Sequence, residues 1–257
     1  MKSQKPERKP LMHPHSIFCI TLVLWAPLAA LAGLSEDFSA PIEKVLESWV
    51  PYGRLANGTW AQGVGNARPE WWALEDGALR GQNFPDETHP AGISRKDHLP
   101  QARLAETGAR IRWRVKVTET SRGTLRLFGL TPSPHDKEAT DNHVLALDVS
   151  VAGLRLWNGN RELTAPAPDK ESRKYKNSVL EDKAAGGVTP GSWHALELEL
   201  KGAEARGSLD GKHVVTLKLP VPQPVRSLSL EADGDKKGAG LVWFDDISVE
   251  PLSSPGK

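Results

Sequence analysis

The last third of the chain carries the strongest structural signal, because apolar and polar residues alternate there through several consecutive segments. Leu196, Leu198 and Leu200 alternate with Glu197 and Glu199. This is the two-residue period of a β-strand with one buried face. Short turns separate such segments, and each segment buries its apolar side only by pairing with its neighbours. The pattern therefore predicts an antiparallel β-meander.

One turn of this meander is specified by the dipeptide Asp210-Gly211. Such a pair is typical of tight β-hairpins, because glycine readily adopts a positive φ angle. Val215 continues an apolar face beyond the turn, and it has to stay in phase with Leu209 before the turn. A three-residue loop over residues 210–212, with Leu209 opposite His213, is the register that we predict.

Strand-like segments recur through the rest of the chain, with turn signals between them. The further candidates are residues 110–117, 124–130, 143–151, 154–157, 225–232 and 241–249. About a dozen short strands without a sustained helical period predict two stacked antiparallel sheets. Residues 40–66 and 165–191 are less regular. We expect one short helix in the first segment, and in the second either a solvated loop or a flap beside a binding cleft.

Several motifs occur in an order that resembles one superfamily. They are a Gly-x-Trp-His strand start at 191–194, the Asp-Gly hairpin, and the closing strand Phe-Asp-Asp-Ile at 244–247. Upstream, residues 36–39 (Glu-Asp-Phe-Ser) and 72–81 (Trp-x-x-x-Asp-Gly-x-Leu-x-Gly) complete the set. The order resembles the concanavalin A-like lectin/glucanase jelly rolls, most closely the 3-keto-disaccharide hydrolase domain family and secreted domains similar to family 16 glycoside hydrolases.

The resemblance extends over about residues 35 to 250. It implies an all-β fold, a concanavalin A-like jelly-roll β-sandwich of two antiparallel sheets. Most of the matching positions belong to turns or to the core, and a fold of this kind supports many unrelated activities. The resemblance is therefore more specific for the fold than for the chemistry.

The N-terminus has the pattern of a secretory signal peptide. Four Lys and Arg residues within the first nine precede an apolar run at residues 17–31, and Ala30-Leu31-Ala32 forms a small-x-small cleavage site. We predict a signal peptide at 1–32 and one domain at 33–257, secreted or periplasmic; the alternative is an uncleaved anchor. Cys19, the only cysteine, lies inside the apolar run. A secreted domain without cysteine favours a bacterial source.

Composition limits the classes of partner. Cleavage after Ala32 would remove four Lys or Arg and one Glu, so the formal net charge of +1 would become −2. Without a basic bias, nucleic acid and anionic membranes are not expected partners, and the cleaved protein should not insert into a membrane. The chain has nine Trp but only five Phe and two Tyr. Because indole rings stack on the apolar faces of sugars, carbohydrate is the partner that this composition favours.

The family 16 glycoside hydrolases place carboxylates on one strand in the pattern Glu-x-Asp-x-x-Glu. Retaining hydrolysis needs two carboxylates, one as nucleophile and one as acid. The sequence lacks this pattern, and the segment Leu147-Asp-Val-Ser150 supplies only one carboxylate. Glycoside cleavage by that mechanism is therefore not expected.

Polar and aromatic side chains provide the candidate site. Residues 85–95 resemble a segment of related secreted domains in which a His precedes a strand of small residues that ends in Arg, which makes His89 the candidate catalytic base. Arginine side chains on the polar face of a sheet suit ligands with hydroxyl or carboxylate groups. The expected ligand-binding residues are Arg95, Arg112, Arg114, Arg126, His143, Trp72 and Trp157. The alternatives are a solvated outer face for the polar residues and core packing for the indoles.

Four carboxylates come from the two ends of the domain. Jelly rolls that resemble this chain often bind a structural Ca²⁺ where the first and last strands meet, and oxygen ligands suit that ion. The expected ligands are Glu36, Asp37, Asp245 and Asp246. Two adjacent aspartates cannot both face solvent unless the strand contains a β-bulge. The alternative is edge charge that prevents strands of different molecules from pairing.

Three functions follow from these observations. The first is a secreted domain that binds glycans on a concave sheet. The second is a hydrolase or lyase of the 3-keto-disaccharide hydrolase type: a keto group acidifies the neighbouring C–H, so a His base could assist elimination without paired carboxylates. The third is a structural cell-envelope domain without a small ligand.

Overall fold

The computed structural model describes residues 34–96, 99, 108–132, 139–158, 180–219, 225–234 and 240–252. These residues belong to one unit, Gly33–Lys257. The predicted signal peptide lies outside the described residues, so its cleavage stays a prediction. Among the described helices, none has the length and apolarity needed to cross a membrane.

The described strands form two antiparallel sheets, which confirms the predicted all-β sandwich. Sheet 1 contains β1 (Leu34–Glu36), β4 (Trp72–Glu75), β5 (Ala78–Asn83), β7 (Ala109–Val117), β12 (Trp193–Lys201), β13 (Glu204–Leu209), β14 (Lys212–Lys218) and β16 (Gly240–Pro251). Sheet 2 contains β2 (Trp49–Arg54), β3 (Trp60–Gln62), β6 (Ala91–Arg95), β8 (Ser121–Pro132), β9 (Ala139–Ser150), β10 (Gly153–Trp157), β11 (Glu181–Ala185) and β15 (Ser227–Gly234). The helix α1 (Ile42–Ser48) leads directly into β2, and a 3₁₀ helix, Pro69–Trp71, leads directly into β4.

The strand order in space differs from the order in the chain. Sheet 1 runs β14-β13-β12-β7-β16-β5-β4, with β1 on the second half of β16, and sheet 2 runs β11-β10-β9-β8-β15-β6-β2-β3. The core lies between the sheets: Val115 and Val242 of sheet 1 meet Gly123 of sheet 2, where any side chain would collide with them. Each strand that alternates in sequence buries its apolar face there, as expected for a sandwich.

The Asp210-Gly211 hairpin has a shorter loop than the sequence predicted. Leu209 pairs with Lys212 rather than with His213, so the turn has two residues. Both have positive φ, 49° at Asp210 and 76° at Gly211, as in a type I′ turn. The apolar faces stay in phase because a β-bulge in β14 takes up the extra residue, Val214, between His213 and Val215. The apolar faces are therefore in the predicted phase, but the extra residue lies in the strand and not in the loop.

The closing strand contains the β-bulge that its two aspartates require. The register between β16 and β7 shifts between Asp245 and Ser248, and Asp246 has a φ angle of 50°. The bulge lets both Asp245 and Asp246 contact Arg114 on the outer face of sheet 1. The first strand pairs with this segment, with Glu36 opposite Ile247. The expected junction of the two ends of the domain is therefore present.

Candidate functional site

The outer face of sheet 2 carries polar side chains that are almost inaccessible to solvent. On β8, β9 and β15 these residues alternate with core residues such as Leu125, Leu147 and Leu230, so they point away from the core. We call the following set the polar cluster: Tyr52, Thr124, Arg126, Asp148, Ser229 and Glu231. Buried polar groups are costly unless they are hydrogen-bonded, so their partners decide what this face can do.

Glu231 is the centre of one half of the polar cluster. Its carboxylate accepts a hydrogen bond from Arg126 Nη2 at 2.7 Å and one from the Tyr52 hydroxyl at 2.8 Å. Burial acts to raise the pKa of Glu231, but the Arg126 charge and the hydrogen bonds from Arg126 and Tyr52 outweigh it and hold the pKa below its ordinary value. Burial, followed by the Glu231 charge, raises the pKa of Tyr52 well above its ordinary value. Glu231 is therefore ionised at neutral pH, and Tyr52 is a neutral donor.

Tyr52 reaches Glu231 because the strand between them lacks a side chain at the crossing point. A Cβ atom on Gly92 would lie 2.2 Å from Cζ of the Tyr52 ring. The ring therefore lies directly over the backbone of β6, and its hydroxyl extends to Ser229, 3.0 Å away, on β15. Beneath it, the Trp72 indole donates a hydrogen bond to the Gly92 carbonyl at 3.0 Å. Gly92 is thus required by the close approach of an aromatic ring on its outer side.

Asp148 holds the other half of the polar cluster and orients an indole. One of its carboxylate oxygens accepts from the Thr124 hydroxyl at 2.8 Å, and the other accepts from Trp157 Nε1 at 3.0 Å. The guanidinium groups of Arg126 and Arg155 lie 5.1 and 5.0 Å from the centroid of the Trp157 ring. Trp157 is therefore fixed by one hydrogen bond and two cation–π contacts.

The loop before β6 is fixed by a buried carboxylate. The Glu87 side chain is fully buried and accepts hydrogen bonds from Trp71 Nε1 at 2.7 Å, Arg68 Nη1 at 3.0 Å and the Phe84 amide at 3.1 Å. The carbonyl of His89, two residues after Glu87, accepts a hydrogen bond from Asn83 Nδ2 at 3.1 Å. These bonds set the position of His89 beside the polar cluster.

His89 has one engaged and one available ring nitrogen. Nδ1 lies 2.8 Å from the Pro90 carbonyl, which can only accept, so Nδ1 carries the proton when the ring is neutral. Nε2 then bears the lone pair, and it has no hydrogen-bond partner among the residues that the structure describes. The ring packs edge-on against Trp60 at 5.2 Å and against Tyr52 at 6.2 Å.

Trp60 forms the accessible edge of this group. Its ring stacks on Tyr52 with centroids 5.7 Å apart and an interplanar angle of 28°. It is 49% exposed, although large apolar side chains are normally buried. Trp60 and Trp157 therefore flank the polar cluster from opposite ends of sheet 2, with His89 next to Trp60.

The residues predicted from sequence separate into two groups. His89, Arg126 and Trp157 come together on the outer face of sheet 2. The other predicted residues do not join them. Arg112 and Arg114 lie on the outer face of sheet 1, Arg95 lies 3.1 Å from Glu36, and Trp72 lies in the core. The backbone of His143 pairs with Phe128, but its side chain is not among those that the structure describes. Tyr52, Asp148 and Glu231 were not predicted as site residues from the sequence, and Trp60 was only one of several indoles near turns that could form a sugar platform. Only Trp60, near a turn, carried a recognisable signal.

Three of the four carboxylates predicted to bind Ca²⁺ lie near one another. Asp37 and Asp246 both act on Asp245, whose pKa burial raises above its ordinary value. Glu36 instead accepts hydrogen bonds from Arg95 at 3.1 Å and Trp49 Nε1 at 3.3 Å. No group of three or more His, Cys, Asp or Glu in the described segments is arranged to hold a metal. The Ca²⁺ site stays a prediction, and titration of the purified protein with Ca²⁺ by calorimetry would test it.

The polar cluster does not have the chemistry of a paired-carboxylate hydrolase. Glu231 and Asp148 both lie opposite Thr124, so they are two strands apart, about 10 Å between backbones. An acid catalyst in such a pair needs a raised pKa, whereas that of Glu231 is lowered. Both carboxylates also have their oxygens occupied by hydrogen bonds inside the protein. The accessible groups are instead the indoles, the His89 ring and the edges of the arginines.

Comparison with known proteins identifies the fold and no family. No protein-family model and no curated protein sequence matches the chain. Solved structures do match: a β-1,3-1,4-glucanase (lichenase) derived from a mouse hindgut metagenome has a TM-score of 0.54 at 13% identity, over 86% of this chain and all of the other. The alginate lyase A1-II′, of polysaccharide lyase family 7, gives 0.54 at 11%, over 83% and 99%.

A third match comes from work on endo-acting O-glycanases with which human gut bacteria initiate mucin breakdown. Its TM-score is 0.56 at 14% identity, over 86% of this chain and 99% of the other. At these identities the likeness concerns the fold alone. The lichenase match confirms the predicted jelly-roll sandwich, whereas no comparison points to the 3-keto-disaccharide hydrolase domains.

Proposed function

We propose that this protein is an exported domain that binds carbohydrate on the outer face of sheet 2. The observation that carries the proposal is the polar cluster between two indoles, Trp60 and Trp157, of which Trp60 is the most exposed. Sugars have polar rims and apolar ring faces, so they are bound by fixed polar groups together with aromatic platforms. The fold agrees with this: its solved neighbours act on polysaccharides, as the lyase, glucanase and O-glycanase names state.

A binding function fits the internal pairing of the polar cluster better than catalysis by its carboxylates. Hydrogen bonds within the protein hold Glu231 and Asp148 in place, so these groups provide a rigid surface rather than a proton donor. Rigid, prearranged sites lose less entropy when they bind a ligand. The aromatic rings that Asp148 and Tyr52 support would make the contacts with the sugar.

The test starts from a glycan array with residues 33–257, followed by calorimetry on the best ligand. Trp60→Ala and Trp157→Ala should each weaken binding about tenfold or more, as the loss of an aromatic anchor does. Trp193→Ala is the matched control, because Trp193 is a partly exposed indole with cation–π contacts on the outer face of sheet 1. If all three variants bind the ligand as tightly as wild type, the outer face of sheet 2 is not the binding site. A wild type that binds no glycan would favour a structural envelope domain.

A second candidate function is catalysis by His89, on oxidised glycosides of the 3-keto type or by another elimination. The specific observation is the Nε2 lone pair of His89, which the Pro90 carbonyl orients through Nδ1 and which no described residue occupies. A base in this position could remove the acidified C–H proton of a bound sugar.

Turnover and affinity separate the two candidates. If His89 is the base, His89→Gln should lower turnover by about 10² to 10⁴ while the dissociation constant stays within a few fold. His213→Gln, which changes an exposed histidine on β14, is the control. Binding without any turnover by the wild type would leave the binding function and exclude the catalytic one.

A further inference from the structure

Each described arginine in the middle of the proposed binding face is paired with a carboxylate. Arg126 pairs with Glu231 at 2.7 Å, and Arg155 pairs with Glu181 at 2.7 Å, with Asp148 3.8 Å away. Arg122 forms an ion pair with Asp233 in the same way. Lys183, next to Arg155, shares Glu181 at 2.7 Å. The positive charges of this face therefore already have partners within the protein.

One arginine on the described part of this face has no such partner. Arg54 ends β2, opposite Trp60, and its side chain is exposed. It is three strands away from Arg126 and four residues further along its strand, so the two backbones are about 20 Å apart. Solvent and salt screen an exposed charge at that distance from the middle of the face. Arg54 is therefore a rim charge, and among the residues that the structure describes, the middle of the face offers no cation without a carboxylate partner.

A polyuronate carries a carboxylate on every sugar ring. Transfer of that carboxylate into a partly buried site is costly unless an unpaired cation or several hydrogen-bond donors compensate for the lost water. Here Glu231 and Asp148, both nearly inaccessible, would also repel it. An uncharged sugar meets no such repulsion, since hydroxyl groups bind donors and acceptors alike. Thus a neutral ligand fits the charges of this face and a polyanionic one does not.

From this pairing we infer that the site selects uncharged glycans over polyuronates, an inference that rests on the proposed carbohydrate-binding function. The fold does not decide the matter, since one structural neighbour is an alginate lyase and another a β-1,3-1,4-glucanase. The selection is a property of three ion pairs, Arg126–Glu231, Arg155–Glu181 and Arg122–Asp233. If one carboxylate of these pairs is made neutral, the face gains a net positive charge and its preference should shift towards the anionic ligand.

The experiment compares a neutral β-glucan oligosaccharide with an oligouronate of the same length, by calorimetry at low salt. Wild type should bind the neutral ligand at least about tenfold more tightly, which corresponds to 1.4 kcal/mol. Glu231→Gln keeps an acceptor for Tyr52 but removes the negative charge beside Arg126. Glu181→Gln removes the negative charge that Arg155 and Lys183 share at the more exposed end near Trp157. Each variant should gain about tenfold in affinity for the oligouronate and change little towards the neutral ligand.

Controls separate failure of this inference from failure of the proposed function. Glu181→Gln tests the inference even if Glu231→Gln does not fold by circular dichroism, because both partners of the Arg155 pair are about one-third exposed. If wild type binds the oligouronate as tightly as the neutral ligand, and Trp60→Ala weakens both, the binding face stands and the charge selection is overturned. If wild type binds both ligands equally and Arg54→Ala loses affinity for the oligouronate alone, the uronate binds at the rim. If wild type binds neither ligand, the charge selection fails, and if it also binds no glycan on the array, the proposed function fails with it.

Discussion

The outer faces of the two sheets are built from the same residue types but differ in burial. On sheet 1, Arg112 Nε lies 2.8 Å from Glu197 and its Nη1 lies 2.6 Å from Glu250, and all three side chains are substantially exposed. On sheet 2, the pair of Arg126 and Glu231 has side chains only 13% and 2% exposed. Both faces alternate arginine with apolar residues along a strand. Alternation thus identifies the outer face of a sheet, but neighbouring structure decides whether that face is solvated.

This difference in burial changes what each ion pair contributes. Exposed pairs stabilise a protein by about 0 to 1 kcal/mol, because water and salt screen them. A buried pair is close to neutral overall, yet the loss of one partner leaves a charge without compensation and costs about 3 to 5 kcal/mol. The face of sheet 1 is therefore tolerant of substitution, and that of sheet 2 is not.

The first prediction compares one carboxylate from each face. Glu231→Ala should lower the free energy of unfolding by about 3 to 5 kcal/mol, since it removes the carboxylate that balances the buried Arg126 charge and accepts a hydrogen bond from Tyr52. Glu199→Ala, which removes the partner of Arg110 on sheet 1, should lower it by less than about 1 kcal/mol. Urea unfolding followed by circular dichroism measures both. Equal costs would mean that the two faces do not differ in this way.

Much of the fold was predictable because it depends on local patterns. The period of two placed Leu196, Leu198 and Leu200 in the core, and Asp210-Gly211 marked the hairpin. The two-residue loop was not predictable from the phase of the apolar residues, since a bulge at Val214 restores that phase equally well.

The candidate site was less predictable, because its members are distant in sequence. Tyr52 and Glu231 are separated by 179 positions, and they meet only through the order of β2, β6 and β15 in sheet 2. Nothing local distinguishes Arg126, whose partner is buried, from Arg112 and Arg114, which share its alternation. His89 was identified through a resemblance, and its position depends on Glu87, for which no sequence motif exists.

The second prediction compares two glycines. Gly92→Ala places a Cβ atom 2.2 Å from the Tyr52 ring, so the ring has to leave Glu231; we expect a loss of about 1 to 3 kcal/mol and weaker glycan binding. Gly211→Val forces a β-branched residue to a φ angle of 76°, with a similar loss of about 1 to 3 kcal/mol but no change in glycan affinity. Melting temperatures and calorimetry separate the two effects. Unchanged binding in Gly92→Ala would remove Tyr52 from the site.

The last prediction uses pH, since one carboxyl on each sheet has a shifted pKa of opposite sign. The pKa of Glu231 is lowered in the folded state, so its ionised form stabilises the fold above the ordinary value of 4.5, and that stability is lost as the pH falls through the lower folded pKa. Burial raises the pKa of Asp245 above 3.8, so its ionisation reduces stability as the pH rises from that value through the folded pKa.

Urea midpoints measured between pH 3 and pH 7 should therefore respond in opposite directions to two amide substitutions. The deficit of Glu231→Gln relative to wild type should be largest at pH 7 and shrink towards pH 3, because below pH 4.5 the unfolded chain takes up a proton at Glu231 more readily than the folded protein does. The urea midpoint of Asp245→Asn relative to wild type should be lowest at pH 3 and rise with pH. The change should be smaller than for Glu231→Gln, because Asp245 is nearer the solvent and lies beside Arg114. Parallel pH profiles for the two variants would show that burial does not distinguish these carboxylates, and the contrast between the two faces would then depend on the ion-pair geometry alone.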